Sequence, residues 1–292
     1  MSPPAEKETF LNRTLVRLRR AWRDVRDGAA ALVENNGDIP PDLPQARVEV
    51  VRRQVDACIG GPGGEFAARA RTAQLGRLYL SFSETGRQRF LALLAERFAT
   101  PAHSLGIAVD LWRDADTDEE RLKAERDLRE ALTPPRLRLL RQFNALPQGV
   151  KFLVDLRADL LKIRSQSPHL AALDDDLRDL LVSWFDLGFL DLHQITWRSP
   201  AALLEKLIAY EAVHEIRSWD DLRNRLESDR RCFALFHPRM PDEPLAFVEV
   251  ALVKGLAGDV QVLLDRDAPV GDERSADTAI FYSISNTQRG LQ

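Results

Sequence analysis

The stretch RRCFALFHPRMPDEPLAFVEVALV, residues 230–253, decides the fold, because here the sequence changes from helical to strand-like. RCFALFH and LAFVEVALV are short apolar runs with aromatic and β-branched residues, which is typical of β-strands. HPRMPDEP lies across their junction, and its prolines and acids indicate a surface turn. With a third run, TAIFYSIS, the C-terminal third is predicted to contain at least three strands.

The segments around these strands complete an α+β pattern. AALLEKLIAYEAV, which follows Pro200, and SWDDLRNRLE are predicted helices, and Ser218 is the predicted N-cap of the second. Residues 256–277 contain glycines and a proline, so they are predicted to form a loop, with a short strand at Val260–Leu264.

The first two thirds of the chain consist of amphipathic helical segments, in which apolar residues recur every three or four positions. Ser83 and Glu84 are predicted to cap one helix, and the charged run 116–132 is predicted to be a helix with a solvated face. We expect another helix over 174–190, with Asp174–Asp176 at its N-terminal end, where the helix dipole favours acids. The first apolar stripe comprises Leu11, Leu15, Leu18, Trp22 and Val25.

Consecutive helices without strands indicate a helical bundle. The predicted fold class is therefore α+β: an all-helical N-terminal domain over residues 1–190, then an α/β domain with a mainly antiparallel sheet over residues 191–292.

Composition excludes some classes of protein. The net charge of −4 argues against a general nucleic-acid binder, and no run approaches the ~18 apolar residues of a membrane span. The charged N-terminal stretch is not expected to be a secretory signal. Glu6, Glu8 and Asp24 argue against its interpretation as an organelle transit peptide. Cys58 and Cys232 are far apart, so we expect reduced, buried thiols in a cytoplasmic protein.

Local motifs predict no catalytic residue and no metal site. The glycine-rich IGGPGGEF, residues 59–66, lacks a phosphate-binding lysine and is predicted to connect two helices. Glu211 and His214 have E-x-x-H spacing on a predicted helix, but no second pair supports metal binding. There is no G-x-S-x-G sequence.

The final segment, FYSISNTQRGLQ at 281–292, is more informative. A strand that enters a glycine-containing turn and a helix start presents backbone N–H groups to an anion such as pyrophosphate, and Arg289 could add a charged contact. The alternative is an ordinary turn after a strand.

Several long strings resemble the malonyl-CoA decarboxylase family. They are LPQGVKFLVDLRADLL at 146–161, WFDLGFLDLHQITWRSPAALLEKLIAYEAVHEIRSWDDLRNRL at 184–226, residues 230–253 and FYSISNTQRGLQ. The resemblance implies that the helical domain serves homo-oligomerisation and that residues 191–292 form the first part of an acetyltransferase-like domain. It also implies a coenzyme A-binding loop, whose front matches Thr287, Gln288, Arg289, Gly290, Leu291 and Gln292.

The activity implied by the resemblance is conversion of malonyl-CoA to acetyl-CoA and carbon dioxide. Coenzyme A is then part of the substrate, and no separate cofactor is expected. The family's catalytic serine and histidine are expected beyond residue 292, so the chain is expected to be a fragment that is inactive alone; a natural short form is the alternative. Two other functions stay open: a non-catalytic coenzyme A-binding or oligomerisation scaffold, and an acyltransferase of the same fold, which the long helical domain disfavours.

Overall fold

A computed structural model describes residues 39–292 together with residues 16, 18–20 and 22. By compactness the chain divides between Leu181 and Val182 into two units. The predicted domain boundary at residue 190 stays a prediction. Of the first apolar stripe, Leu18 and Trp22 are described, and both are helical and fully buried. Leu11, Leu15 and Val25 lie outside the described residues.

The described part of the first unit is helical, as predicted. Its helices are Gln45–Gly60 (α1), Gly64–Ser81 (α2), Glu84–Arg97 (α3), Ala102–Arg113 (α4), Asp118–Leu132 (α5), Pro135–Asn144 (α6), Gly149–Leu161 (α7) and Pro168–Trp184 (α8), which ends just beyond the division.

Aromatic rings form the centre of this helical unit. The ring centroid of Phe152 lies 4.7 Å from those of Trp22 and Phe143 and 5.6 Å from that of Tyr79. The Trp22 indole N–H donates a hydrogen bond to the Pro147 carbonyl over 2.7 Å. The buried rings therefore bring together Trp22, Tyr79 and the consecutive helices α6 and α7, and the indole N–H is satisfied.

Several local predictions are confirmed in this unit. The Ser83 side chain accepts a hydrogen bond from the Gly86 N–H and caps α3. IGGPGGEF connects α1 to α2, and Gly63 has φ +102°, a conformation that favours glycine. Along α5, Ala124 is the buried residue, as expected for a solvated helix.

The prediction for Asp174–Asp176 is wrong. Helix α8 begins at Pro168, six residues before Asp174, and the Ser167 hydroxyl accepts a hydrogen bond from the Leu170 N–H at its start. The acids are therefore in the body of the helix, where Asp174 pairs with Arg157 over 2.8 Å. Arginines on neighbouring segments, rather than the helix dipole, stabilise these carboxylates. The helix also stops at Trp184, and Leu187–Phe189 is a 3₁₀ turn.

The second unit is an antiparallel sheet with helices, which confirms the α+β fold class. The sheet order is β1-β2-β3-β4, and all neighbours pair antiparallel. The elements are Asp191–Ile195 (β1), Ala201–Tyr210 (α9), Trp219–Asn224 (α10), Arg230–His237 (β2), Met240–Val253 (β3), Val260–Leu264 (α11) and Thr278–Asn286 (β4).

The helices of this unit cover one face of the sheet. Leu204 and Leu207 from α9 and Leu222 from α10 are buried in one cluster with Phe236 and Phe247 from the sheet. This cluster fixes α9 against β2 and β3. The predicted N-cap Ser218 is confirmed, since its hydroxyl accepts a hydrogen bond from the Asp221 N–H.

Three strand predictions require correction. Strand β1 was absent from the prediction because most of its five side chains are exposed and give no apolar alternation. The turn predicted at 237–244 is shorter: His237 pairs with Met240, and β3 starts there. Pro244 is accommodated at a register shift, where a ladder hydrogen bond is not required.

The segment predicted as a strand at Val260–Leu264 is instead helix α11. The Asp259 carboxylate accepts a hydrogen bond from the Gln261 N–H over 2.8 Å and so caps this helix. A local side-chain contact therefore overrides the β preference of valine.

Candidate functional site

The predicted anion-binding loop, residues 287–292, follows β4 directly. The Thr287 N–H donates to the Leu245 carbonyl over 3.0 Å, so pairing with β3 continues one residue past the strand. The Thr287 hydroxyl donates to the Pro244 carbonyl, and the Gln288 side-chain amide donates to the same oxygen over 2.9 Å. Both side chains are buried. Thr287 and Gln288 thus fasten the loop to β3 through their side chains.

The remaining predicted residues form one 3₁₀ turn, Arg289–Leu291. Gly290 is buried, Leu291 is half-buried, and Arg289 and Gln292 are exposed. The Leu291 N–H donates to the Gln288 carbonyl over 3.1 Å. Within the described part of the chain, the amide N–H groups of Gln288 and Arg289 have no recorded acceptor. Two backbone donors and an exposed guanidinium therefore lie at the front of this turn.

The Glu211 carboxylate contacts β4, and the sequence did not predict this contact. Glu211 follows the last residue of α9 and is buried. Its Oε1 accepts hydrogen bonds from the backbone N–H groups of Val213 and His214, each over 2.8 Å. The hydroxyls of Ser283 and Ser285 donate to the same carboxylate over 2.9 Å and 3.1 Å. Glu211 is thus shared between the end of α9 and the inner face of β4.

A second ionic group lies on the same face of the sheet. Arg225 donates from Nη1 to Glu249 Oε2 over 3.0 Å and from Nε to Asp221 Oδ1 over 3.1 Å. All three side chains are buried. Burial raises the pKa of Glu249 to about 7, although Arg225 acts in the opposite direction. This carboxyl group therefore changes its charge near neutral pH.

The strand register places a thiol, a carboxyl group and a serine hydroxyl in one row across the sheet. Cys232 on β2 pairs with Glu249 on β3, and Glu249 pairs with Ser283 on β4. Burial raises the pKa of the Cys232 thiol well above its usual range, so it is a thiol and not a nucleophile. Burial likewise raises the pKa of Cys58 to about 12. Both cysteines are buried and free, as predicted.

Glu211 and His214 do not lie on one helix, although their E-x-x-H spacing and the predicted helix AALLEKLIAYEAV placed them there. Helix α9 ends at Tyr210, and the Glu211 carboxylate is occupied by hydrogen-bond donors. Among the described residues, no group of three or more histidine, cysteine, aspartate or glutamate side chains is arranged to hold a metal. Within the same part of the chain, no helix is both long and apolar enough to cross a membrane.

His237 has a structural role at the turn between β2 and β3. Its Nδ1 accepts from the Arg239 N–H over 3.1 Å, so Nε2 carries the proton and donates to the Trp184 carbonyl over 3.0 Å. Burial lowers the pKa of this ring, which favours the neutral form. Both nitrogens are therefore used within the fold.

Two family models match consecutive parts of the chain. The model described as Malonyl-CoA decarboxylase N-terminal domain matches residues 98–185, and the model described as Malonyl-CoA decarboxylase C-terminal domain matches residues 188–292. Together they account for about two thirds of the chain.

Curated relatives give the same result. The chain is 36% identical over 236 residues to the mitochondrial malonyl-CoA decarboxylase of Mus musculus, which covers 79% of this chain and 46% of the mouse protein. It is 34% identical over 237 residues to the mitochondrial enzyme of Anser anser anser, covering 77% of this chain and 47% of the goose protein. The chain spans about half the length of the curated relatives it matches.

Solved structures agree with the fold. A malonyl-CoA decarboxylase from Rhodopseudomonas palustris is 40% identical, with a TM-score of 0.78, over 84% of this chain and 58% of that one. A malonyl-CoA decarboxylase from Agrobacterium vitis is also 40% identical, with a TM-score of 0.75, over 83% of this chain and 58% of that one.

Proposed function

The chain belongs to the malonyl-CoA decarboxylase family, and from this we propose that its activity is the conversion of malonyl-CoA to acetyl-CoA and carbon dioxide. One observation carries the proposal: both domain models of this family match the chain in order and almost without interruption from residue 98 to residue 292. The relatives and solved structures that bear the name are 34–42% identical to the chain.

The reaction sets clear chemical requirements. Loss of carbon dioxide leaves negative charge on the thioester enolate oxygen, so hydrogen-bond donors must stabilise that oxygen, and an acid must then protonate the carbon. Neither requirement needs a metal or an organic cofactor. We assign neither role to a described residue, because the buried carboxyl groups Glu211 and Glu249 of the second unit are already engaged by Ser283 and Arg225.

In this proposal residues 287–292 hold the coenzyme A part of the substrate. The N–H groups of Gln288 and Arg289 bind pyrophosphate oxygens, and the Arg289 guanidinium adds a charge-assisted contact. Thr287 and Gln288 fix the start of the loop through the Pro244 carbonyl, while Gly290, Leu291 and Gln292 complete the turn. The net charge of −4 does not attract an anionic substrate, so local donors must provide the affinity.

The test has two arms. Calorimetry on the 292-residue chain measures coenzyme A binding, and we expect Arg289→Ala to weaken it by about fivefold to tenfold, since one charge-assisted contact is lost. Arg266→Ala, at another exposed arginine of the same unit, is the control and should leave binding unchanged. The second arm measures acetyl-CoA release from malonyl-CoA by the protein expressed from its intact gene. Binding without turnover there would support the non-catalytic scaffold instead.

We also propose that the helical unit forms a homo-oligomer. Helices α4 and α5 expose apolar side chains that a monomer would normally bury: Ile107, Leu111, Trp112 and Leu122. Leu111→Glu should shift the molar mass measured by light scattering towards the monomer. His103→Glu, an exposed polar position on the same helix, is the control and should leave the mass unchanged.

We propose a cytoplasmic location, because Cys58 and Cys232 are free, buried thiols, as expected in a reducing compartment. The curated relatives are named mitochondrial, so the alternative is import into that organelle. Fractionation of cells that express the intact gene distinguishes the two compartments.

A further inference from the structure

The buried serines of β4 connect Glu211 to the loop at 287–292. Ser283, Ser285 and Thr287 are all buried, whereas Ile284 and Asn286, which alternate with them, are exposed. Alternate residues of a strand share one face. The two serines that hold Glu211 therefore lie on the same side of the strand as Thr287, and Ser285 is two residues before it.

Strand β4 needs such a connection because its pairing is one-sided. Within the described sheet it pairs with β3 alone, and the ladder is shifted between Glu249 and Val250. At the end of the strand the backbone is held by β3 through Leu245 and Pro244. The inner face is held by Glu211, whose two oxygens accept from both serine hydroxyls.

The donors around Glu211 fix the position of its carboxylate. The N–H groups of Val213 and His214 hold Oε1 at the end of α9, while Ser285 reaches Oε2. The Ser285 oxygen also accepts from the Ala212 N–H over 3.3 Å. A buried carboxylate is costly unless all its lone pairs are used, and here the charge is fully surrounded by donors.

We propose that Glu211 is a positioning residue: through Ser283 and Ser285 it sets the inner face of β4 and so the direction of the N–H groups of Gln288 and Arg289. The inference rests on the proposed role of the loop in coenzyme A binding. Glu211 touches no substrate in this scheme. Its effect is to hold the strand that carries the donors.

The sharpest test compares two variants of one side chain. Ser285→Thr keeps the hydroxyl, and Ser285→Val replaces that hydroxyl with a methyl group of the same shape. Both add one branched carbon to the same site, so steric cost is shared, and both residues suit a strand. Hydrogen exchange by mass spectrometry on the full chain follows the peptides that cover residues 283–292 and those that cover β1 to β3.

We expect exchange at 287–292 to be about tenfold faster in the Val variant than in the Thr variant, with β1 to β3 unchanged, because the hydrogen bond to the Glu211 carboxylate and the one from the Ala212 N–H are both lost at the end of α9. The dissociation constant for coenzyme A should rise by a similar factor. Equal exchange in the two variants would overturn the proposal, and so would acceleration spread over the whole sheet, since that would mean a general structural role. If the unaltered chain binds no coenzyme A, the proposed loop function fails, and the exchange comparison still decides whether Glu211 positions the loop.

Discussion

Arg225 and Glu249 form an ion pair in the interior of the second unit, with Nη1 and Oε2 3.0 Å apart and both side chains no more than 3% exposed. Asp221 holds the same guanidinium from the other side. One cation thus serves two buried carboxylates, which makes the group sensitive to the loss of any member.

Replacing Arg225 with methionine should lower the free energy of unfolding by about 3–5 kcal/mol, because two carboxylates are left in the interior without their cation. Urea denaturation measures the change. Arg223→Met is the matched control: this arginine is exposed and lies over the Trp197 ring at 5.1 Å, so its loss should cost about 1 kcal/mol or less. Equal effects of the two variants would contradict the importance of burial.

Glu249 should make stability depend on pH. Its folded pKa of about 7 is above the ordinary value of 4.5, so the folded state holds the proton more tightly than the unfolded chain. This contribution is fully present below pH 4.5 and is lost as pH rises through 7. The loss is of the order of 3 kcal/mol, since each pKa unit corresponds to about 1.4 kcal/mol.

Glu249→Gln removes this titration, so its unfolding free energy should change less between pH 5 and pH 8 than that of the unaltered chain. Arg225, Glu211 and Asp221 are the charged groups that act on Glu249, and all three remain in the variant. Parallel pH profiles for the two proteins would show that Glu249 does not titrate in this range.

Gly76 lies against the Trp22 ring, and a Cβ at this position would come within 2.0 Å of the ring carbon Cζ3. Gly76→Ala should therefore displace the ring and destabilise the helical unit by about 1–3 kcal/mol, even though alanine favours a helix. Gly106→Ala is the control, because a Cβ there meets nothing within 4 Å in helix α4. That variant should be stabilised by up to about 1 kcal/mol. A Gly76→Ala protein as stable as the Gly106→Ala protein would contradict the close contact.

The sheet should exchange its amide hydrogens unevenly. Strand β2 is paired on both sides, whereas β4 pairs with β3 alone in the described sheet, and its Phe281 and Ile284 side chains are more than 60% exposed. We expect β4 to exchange faster than β2 in hydrogen-exchange mass spectrometry. Equal or stronger protection of β4 relative to β2 would contradict this.

The elements that the sequence predicted well are those with strong local signals. The caps at Ser83 and Ser218 need only residues three positions away. Strand β4 combines β-branched and aromatic residues, and the predicted run TAIFYSIS, residues 278–285, falls within the observed strand Thr278–Asn286. Such features depend on residues that lie close together in the sequence, so they can be predicted from a single sequence.

The elements that were predicted wrongly depend on partners far along the chain. The sequence pattern around Asp174 is typical of a helix start, but this residue pairs with Arg157 within the helix. Pro244 is typical of a turn, but it lies in a strand at a register shift. The candidate site shows the same limit. Ser283 and Glu211 are 72 positions apart, so no local pattern reveals that they meet. The only available signal was two serines at alternate positions of an apolar strand.

The sheet order has a consequence for how the chain folds. Strands β2 and β3 are joined by a short turn, whereas β1 is separated from β2 by α9 and α10, and β4 from β3 by a segment that contains α11. The β2–β3 hairpin therefore needs the least loop closure, and we expect it to form before β1 and β4 pair with it. Strand β4 pairs with β3, so it can join the sheet only after β3 is in place. The long connection that contains α11 must also close before the two strands meet. We therefore expect the loop at 287–292 to form late in folding, so mutations in it should alter the rate of unfolding far more than the rate of folding.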